Sequence, residues 1–248
     1  MAPRDLDSLR RAALSPSRAH ADLPGIGGCI RCRPEDFEVE ELPAYGADGQ
    51  PGHLLLTLRK RAMNSEDALL ALSRALKVPR AEIGLAGLKD RDAVTTQWIS
   101  LPQQALPRLA SFSHPAITLG APSPHSHKLR RGHLGGNRFC VVVRELQLDA
   151  GELAARVEAK LDHLGRVGLR NYYGEQRFGA GARNVAPGLA SLAGKRRVKG
   201  KGDLVVSAGQ SALFNLYLAT RASRGQIDAV LAGDILQKRA TGGLFECE

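Results

Sequence analysis

Gly84-Leu-Ala-Gly-Leu-Lys-Asp-Arg-Asp-Ala-Val-Thr-Thr-Gln-Trp98 decides how the rest of this chain reads. Two glycines precede a carboxylate, Asp90, which stands between two cations, Lys89 and Arg91. Beyond it Val94, Thr96 and Trp98 alternate as in a half-buried strand, so Asp90 lies where a turn enters a sheet. Neighbouring cations keep a partly desolvated carboxylate ionised, which suits a nucleophile and not a general acid. A single Lys-Asp-Arg is more often a solvated surface turn, so a role for Asp90 depends on what surrounds the segment.

Outward from that turn, periodicity lays out a mixed fold. Ile30 to Leu42 alternates around Phe37 and Val39 and predicts a strand. His53 to Arg59 predicts a second, with Leu54, Leu56 and Leu58 on one face and Leu55 on the other, as expected of a central strand. Asn64-Ser65 caps a helix that carries Leu69, Leu72 and Leu76 on one side and stops near Pro79. Val94 to Leu101 continues the quoted segment as a strand, and Arg138 to Leu148, with Val141-Val-Val143 as its core, predicts another. Asp149-x-x-Glu152 is a capping box before a helix with Leu153, Val157, Leu161 and Leu164 at turn spacing. Strands separated by helices make this an α+β sheet domain through about residue 170. Ser207 to Ser223 predicts a further helix, and residues 1–23 read as a mobile lead-in.

Charge narrows the partner. Lys plus Arg number 35 against 25 Asp plus Glu, a net charge of +10 with a pI near 9.8. Such a balance favours a polyanion, RNA or DNA ahead of an anionic membrane. The cations cluster in two acid-free runs: Lys128, Arg130, Arg131 and Arg138 with three histidines among them, and Arg177, Arg183, Lys195, Arg196, Arg197, Lys199 and Lys201. Four cysteines, with one C-x-x-C at Cys29 and Cys32 and no second pair at zinc spacing, suggest neither a disulfide framework nor a metal. The N-terminus lacks the apolar core of a signal peptide, and no run approaches the ~20 apolar residues of a membrane span. A cytoplasmic protein, without membrane or metal partner and monomeric, is expected.

Several segments resemble, in order, the motifs of the TruD family of tRNA pseudouridine synthases. They are Arg33-Pro-Glu-Asp-Phe-Glu-Val-Glu-Glu41, Gly52-His-Leu-Leu-Leu56 with Lys60, the quoted Gly-x-Lys-Asp segment, and Lys128-Leu-Arg-Arg-Gly132 with Gly136-Asn-Arg-Phe139. Asn171-Tyr-Tyr-Gly-Glu-Gln-Arg-Phe-Gly179, Ser211-Ala-Leu-Phe-Asn215 and Gly233-Asp-Ile-Leu236 follow. The resemblance implies a pseudouridine synthase catalytic fold, a mixed and largely antiparallel sheet flanked by helices, with a family-specific insertion domain. Residues 1–170 would be the catalytic domain and 171–248 part of the insertion. The closing strands of the sheet would then follow the insertion, beyond Glu248, leaving a chain that folds marginally and turns over little.

The implied activity is isomerisation of uridine, at position 13 of tRNA, to pseudouridine without a cofactor. Asp90 would be the nucleophile, attacking C6 of the ring or C1′ of the sugar. Phe139 would stack on the flipped base, Asn137 read its edge and Phe37 line the pocket. Arg31 would pair with Asp90 or hold a phosphate, and Lys89 would contact substrate. Lys128, Arg130, Arg131, Lys195, Arg196, Arg197 and Lys199 would meet the RNA backbone. The alternative is a non-catalytic RNA-binding protein, or an inactive fragment, on the same scaffold.

Overall fold

Leucines that alternate around residue 55 organise the larger of two compact units. In the computed structural model, which describes residues 14–15, 22–194 and 202–248, residues 26–150 form one unit. The described part of residues 1–25 joins 151–248 in the other. The division after residue 150 lies ahead of the boundary expected at 170. Hydrogen bonds from Arg156 to the Gly25 carbonyl (2.6 Å) and from Lys160 to the Leu23 carbonyl (3.1 Å) hold the intervening helix to the N-terminal segment.

Residues 26–150 comprise β1 (Cys29–Ile30), β2 (Phe37–Pro43), β3 (His53–Arg61), α1 (Ser65–Leu76), β4 (Gly84–Leu85), β5 (Val94–Pro102), α2 (Leu106–Leu109), β6 (Ile117–Leu119), β7 (Ser123–His125), β8 (Leu134–Val141) and β9 (Val143–Arg144). A seven-stranded sheet runs β6-β3-β5-β2-β8, with β4 also on β5 and β7 also on β3. β2 and β5 pair in parallel and the other pairs are antiparallel, the mixed sheet the sequence implies.

β3 is central, buried along the face of Leu54, Leu56 and Leu58 and, on the other face, at Leu55. Leu54, Leu56 and Leu58 pack with Ile99 and Leu101 against Ala68, Leu69, Leu72 and Leu76 of α1. Leu55 turns the other way, onto Ala86 and Leu129. Each such leucine contributes roughly 1.5–3 kcal/mol relative to exposure. Asn64 caps α1 by accepting from Asp67 N at 2.8 Å, and Lys77 ends it in the left-handed region at φ 53°.

Two expected strands are broken. Ile30 to Leu42 is not continuous: β1 ends at Ile30, Arg31 turns at φ 59°, and Pro34–Asp36 forms a 3₁₀ turn before β2. The strand expected at Arg138 to Leu148 begins earlier, at Leu134, and leaves the main sheet at Val142. Val142 N bonds the Asp36 carbonyl (2.8 Å), and β9 pairs with β1 instead. Val141 and Val142 are therefore exposed, not core. Buried Asp36 is the cause. It takes Arg144 Nε and Nη2 at 2.8 Å each and Arg33 Nε at 3.3 Å, drawing β9 out of line.

The second unit holds α3 (Ala150–Val167) from Gly151 onward, then α4 (Val185–Leu192), α5 (Gly202–Ser223) and the hairpin β10 (Ile235–Gln237) with β11 (Leu244–Glu246). The periodic leucines of α3 bury nothing fully, and Leu161 is 62% exposed. α4 crosses α5 at Gly188 and Gly209, where a Cβ on Gly188 would strike Val205 O and Gly209 N. Phe178, Val185, Leu189, Ala208 and Ala212 fill that crossing. Asn215, fully buried, clasps Tyr173 at both main-chain atoms (2.9 and 3.0 Å), joining two of the sequence motifs. Arg177 donates to Ser211 Oγ (3.0 Å) and Ser207 Oγ (2.5 Å). No helix among the described residues is long and apolar enough to cross a membrane.

Candidate active site

The turn that carries Asp90 is fastened to the sheet by buried polar groups. Gly84 opens it, because a Cβ there would collide with Leu129 O and Ser100 Oγ. Ser65, at the start of α1, accepts from Lys89 N and donates to Gln97 Oε1, both at 2.9 Å. Gln97 Nε2 reaches the Gly87 carbonyl at 3.5 Å. Lys60 Nζ donates to the Asp90 carbonyl at 2.6 Å. Ser65, Gln97 and Lys60 are all buried, so each bond replaces hydration those groups have lost. A carboxylate on such a turn is held in place, which nucleophilic attack requires.

Arg31 faces Asp90, Nη2 to Oδ2 at 3.6 Å, with both side chains about a third exposed (36% and 30%). The left-handed turn at Arg31 brings its guanidinium over the Phe37 ring, 3.9 Å from the centroid. Phe37 meets Phe139 at 5.9 Å between ring centroids. Register places Val39 opposite Phe139 and Glu41 opposite Asn137, so Phe37, Asn137 and Phe139 share one face of the β2–β8 pair. Phe139 is 57% exposed and Asn137 is exposed. A ring and an amide thus stand open on the face to which Arg31 and Asp90 are drawn, the pair a planar base with polar edges would use.

Lys89 differs from expectation. Its ammonium pairs with Glu41, with side chains 6% and 0% exposed, and Glu41 also accepts from Trp98 N at 3.1 Å. The lysine is consumed in holding the turn to β2 and β5, and does not present its charge to a ligand.

The basic segment after β7 rests on the same turn. Gly132 N bonds the Ala86 carbonyl (2.9 Å), Leu129 N bonds Ser100 Oγ (2.8 Å), and Leu129 is buried against Ala86. Arg130 and Arg131 are exposed beside it, while Lys128 is half-buried and donates to the Ala81 carbonyl. Lys195, Arg196, Arg197 and Lys199 lie outside the described residues.

Two features escaped the sequence. Asp48, His125 and His127 bring ligand-type atoms within 4.8 Å of one another, which no spacing rule suggested. The Asp48 carboxylate is engaged by Ser126 Oγ (2.5 Å), Ser126 N and Gln50 N (3.0 Å each) and held down to about 2, so it braces its loop. The other is Lys60, which the sequence offers within a family motif and gives no role. Burial pushes its ammonium down to about 8, with Asp90's charge opposing and Lys89's reinforcing the shift. Its signal was parity: Lys60 continues the inward series Leu54, Leu56, Leu58, where a lysine is out of place.

Residues 17–191 match the family model for tRNA pseudouridine synthase D (TruD). The chain belongs to the TruD family. It is 46% identical over 236 residues to tRNA pseudouridine synthase D of Anaeromyxobacter dehalogenans (strain 2CP-C), covering 92% of this chain and 66% of that protein. With a Thermus thermophilus protein of the same name it shares 41% over 233 residues, covering 92% and 64%. The chain thus spans just under two thirds of the length of these TruD relatives. Its fold matches the crystal structure of a Methanosarcina mazei protein proposed to be TruD. The TM-score is 0.78 at 20% identity, over 97% of this chain and 72% of that one.

Proposed function

We propose that this TruD-family chain isomerises uridine in tRNA, at position 13, to pseudouridine, with Asp90 as nucleophile. What carries the proposal is one juxtaposition. A carboxylate on a rigidly held turn is paired with Arg31, and Arg31 lies over Phe37 next to the open Phe139 ring. The target base leaves its stack and inserts against Phe139, with Asn137 bonding its edge. Asp90, as carboxylate, attacks C6 of the ring or C1′ of the sugar; the N1–C1′ bond breaks, the base turns, C5 bonds C1′, and the bond to Asp90 breaks to return the carboxylate. Loss of the C5 proton and protonation at N1 complete the isomer, so no electrons or atoms enter or leave. Arg130 and Arg131 take backbone phosphates, and tRNA is the partner. Residues 1–170 serve as the catalytic domain and 171–248 as part of the insertion, in a cytoplasmic monomer. The test is to incubate the chain with a uridine-containing tRNA transcript and map pseudouridine. Product from the chain and none from Asp90→Asn is expected; equal product from both removes Asp90 from the mechanism.

A further inference from the structure

Lys60 has no place in the scheme above, yet its position costs the fold. It is fully buried on the strand face otherwise filled by Leu54, Leu56 and Leu58, where an apolar side chain would be cheaper. Its 2.6 Å bond goes to the main-chain carbonyl of Asp90. The charged groups bearing on it come from the same turn, Asp90 attracting and Lys89 repelling, while Glu41 neutralises Lys89 and Arg31 faces Asp90 from outside. Three cations thus stand against two carboxylates, and losing the Lys60 proton would bring the group to neutrality.

Resting on the reading of Asp90 as nucleophile, we propose that Lys60 is a positioning residue, whose buried ammonium fixes the Asp90 main chain and supplies a positive charge beside its carboxylate. A charged donor binds a carbonyl more strongly than a neutral amine does. Deprotonation therefore loosens the turn as well as removing the charge. Because burial holds the ammonium down to about 8, the change falls within a range accessible to assay.

Two measurements test this. The first is a ¹⁵N NMR titration of Lys60 Nζ in the intact chain and in Asp90→Asn. A midpoint near pH 8 that falls by about half a unit or more when the Asp90 charge is removed is expected, since that charge favours the ammonium. An unchanged midpoint overturns the proposal. The second is the rate of pseudouridine formation against pH for the chain, Lys60→Arg and Lys60→Met. The chain should lose rate above about pH 8 and Lys60→Arg should keep it, because arginine stays charged there. Lys60→Met should lower kcat about tenfold or more and leave KM for tRNA within about twofold. A methionine variant with full kcat, or an arginine variant with the same alkaline fall, sinks the idea. If either substitution prevents folding, the titration decides alone. It also needs no turnover, so absence of product defeats the functional reading without touching the assignment of Lys60.

Discussion

Glu41 and Lys89 form an ion pair from which water is almost excluded, and it ties the residue before Asp90 to the second strand of the sheet. Desolvation makes such a pair expensive to break from one side, because the survivor is left as a lone buried charge. Lys89→Met should cost about 3–5 kcal/mol in urea unfolding. Glu41→Gln in the same chain should recover a good part of it, since the amide still accepts from Trp98 N. A loss below about 1 kcal/mol for Lys89→Met would mean that water reaches the pair.

Asp90 and Asp92 offer a direct comparison. Asp92 is 83% exposed, with Arg91 Nε 4.0 Å away, whereas Asp90 is held through its carbonyl and faces Arg31. Asn has nearly the shape of Asp and cannot act as an anionic nucleophile. Asp90→Asn should abolish pseudouridine formation while tRNA still binds, and Asp92→Asn should stay within about threefold of the parent rate. Reversed phenotypes would show that the wrong aspartate has been chosen.

Arg130 and Arg131 are exposed on a loop bonded to Ala86, so their charges lie next to the Asp90 turn. Changing both to Ala should weaken tRNA binding and reduce the slope of log affinity against log salt by about one to two. A slope equal to that of the parent would make them bystanders.

Asp36 gives the acid response a sign. Its hydrogen bonds to Arg144, with Arg33 assisting, hold its carboxyl below the usual range. A carboxyl lowered on folding contributes stability fully above its unfolded value of about 3.9, and that contribution is lost as pH falls through the folded value. Stability of the parent should therefore drop below about pH 4, and Asp36→Asn should be less stable at neutral pH with a shallower fall on acidification. Parallel curves for the two proteins would assign the acid loss to other carboxylates.

The parts of the fold legible in the sequence are those where burial and periodicity agree. Leu54 to Leu58 told of a central strand, and Asn64 with Leu69, Leu72 and Leu76 of a capped helix, because each pattern is satisfied by neighbours in the same unit. Val141-Val-Val143 misled, since β propensity there yields to the pull of Arg144 toward Asp36, an interaction between residues far apart in the chain. At the site, the family motifs pointed to Asp90, Arg31, Phe37, Asn137 and Phe139, which strand register and ring contacts gather on one side of the sheet. The setting of Lys89 is hidden from the sequence for a related reason. Its buried partner, Glu41, belongs to an acidic stretch that reads as solvent-facing until the strand parity is known.

The pairing of Cys29 with Arg144 and of Ile30 with Val143 has a consequence for tampering with this chain. The two short strands act as a gauge that sets how far Arg31 reaches, and its setting is written in residues 142–145, remote in sequence from the aspartate they serve. One residue inserted or deleted there would shift the pairing by one place and swing the guanidinium off Phe37. The Lys60 and Ser65 anchors of the Asp90 turn would be left intact. Such a variant would separate the two halves of the site mechanically, with an anchored nucleophile and a displaced counter-charge in the same folded sheet.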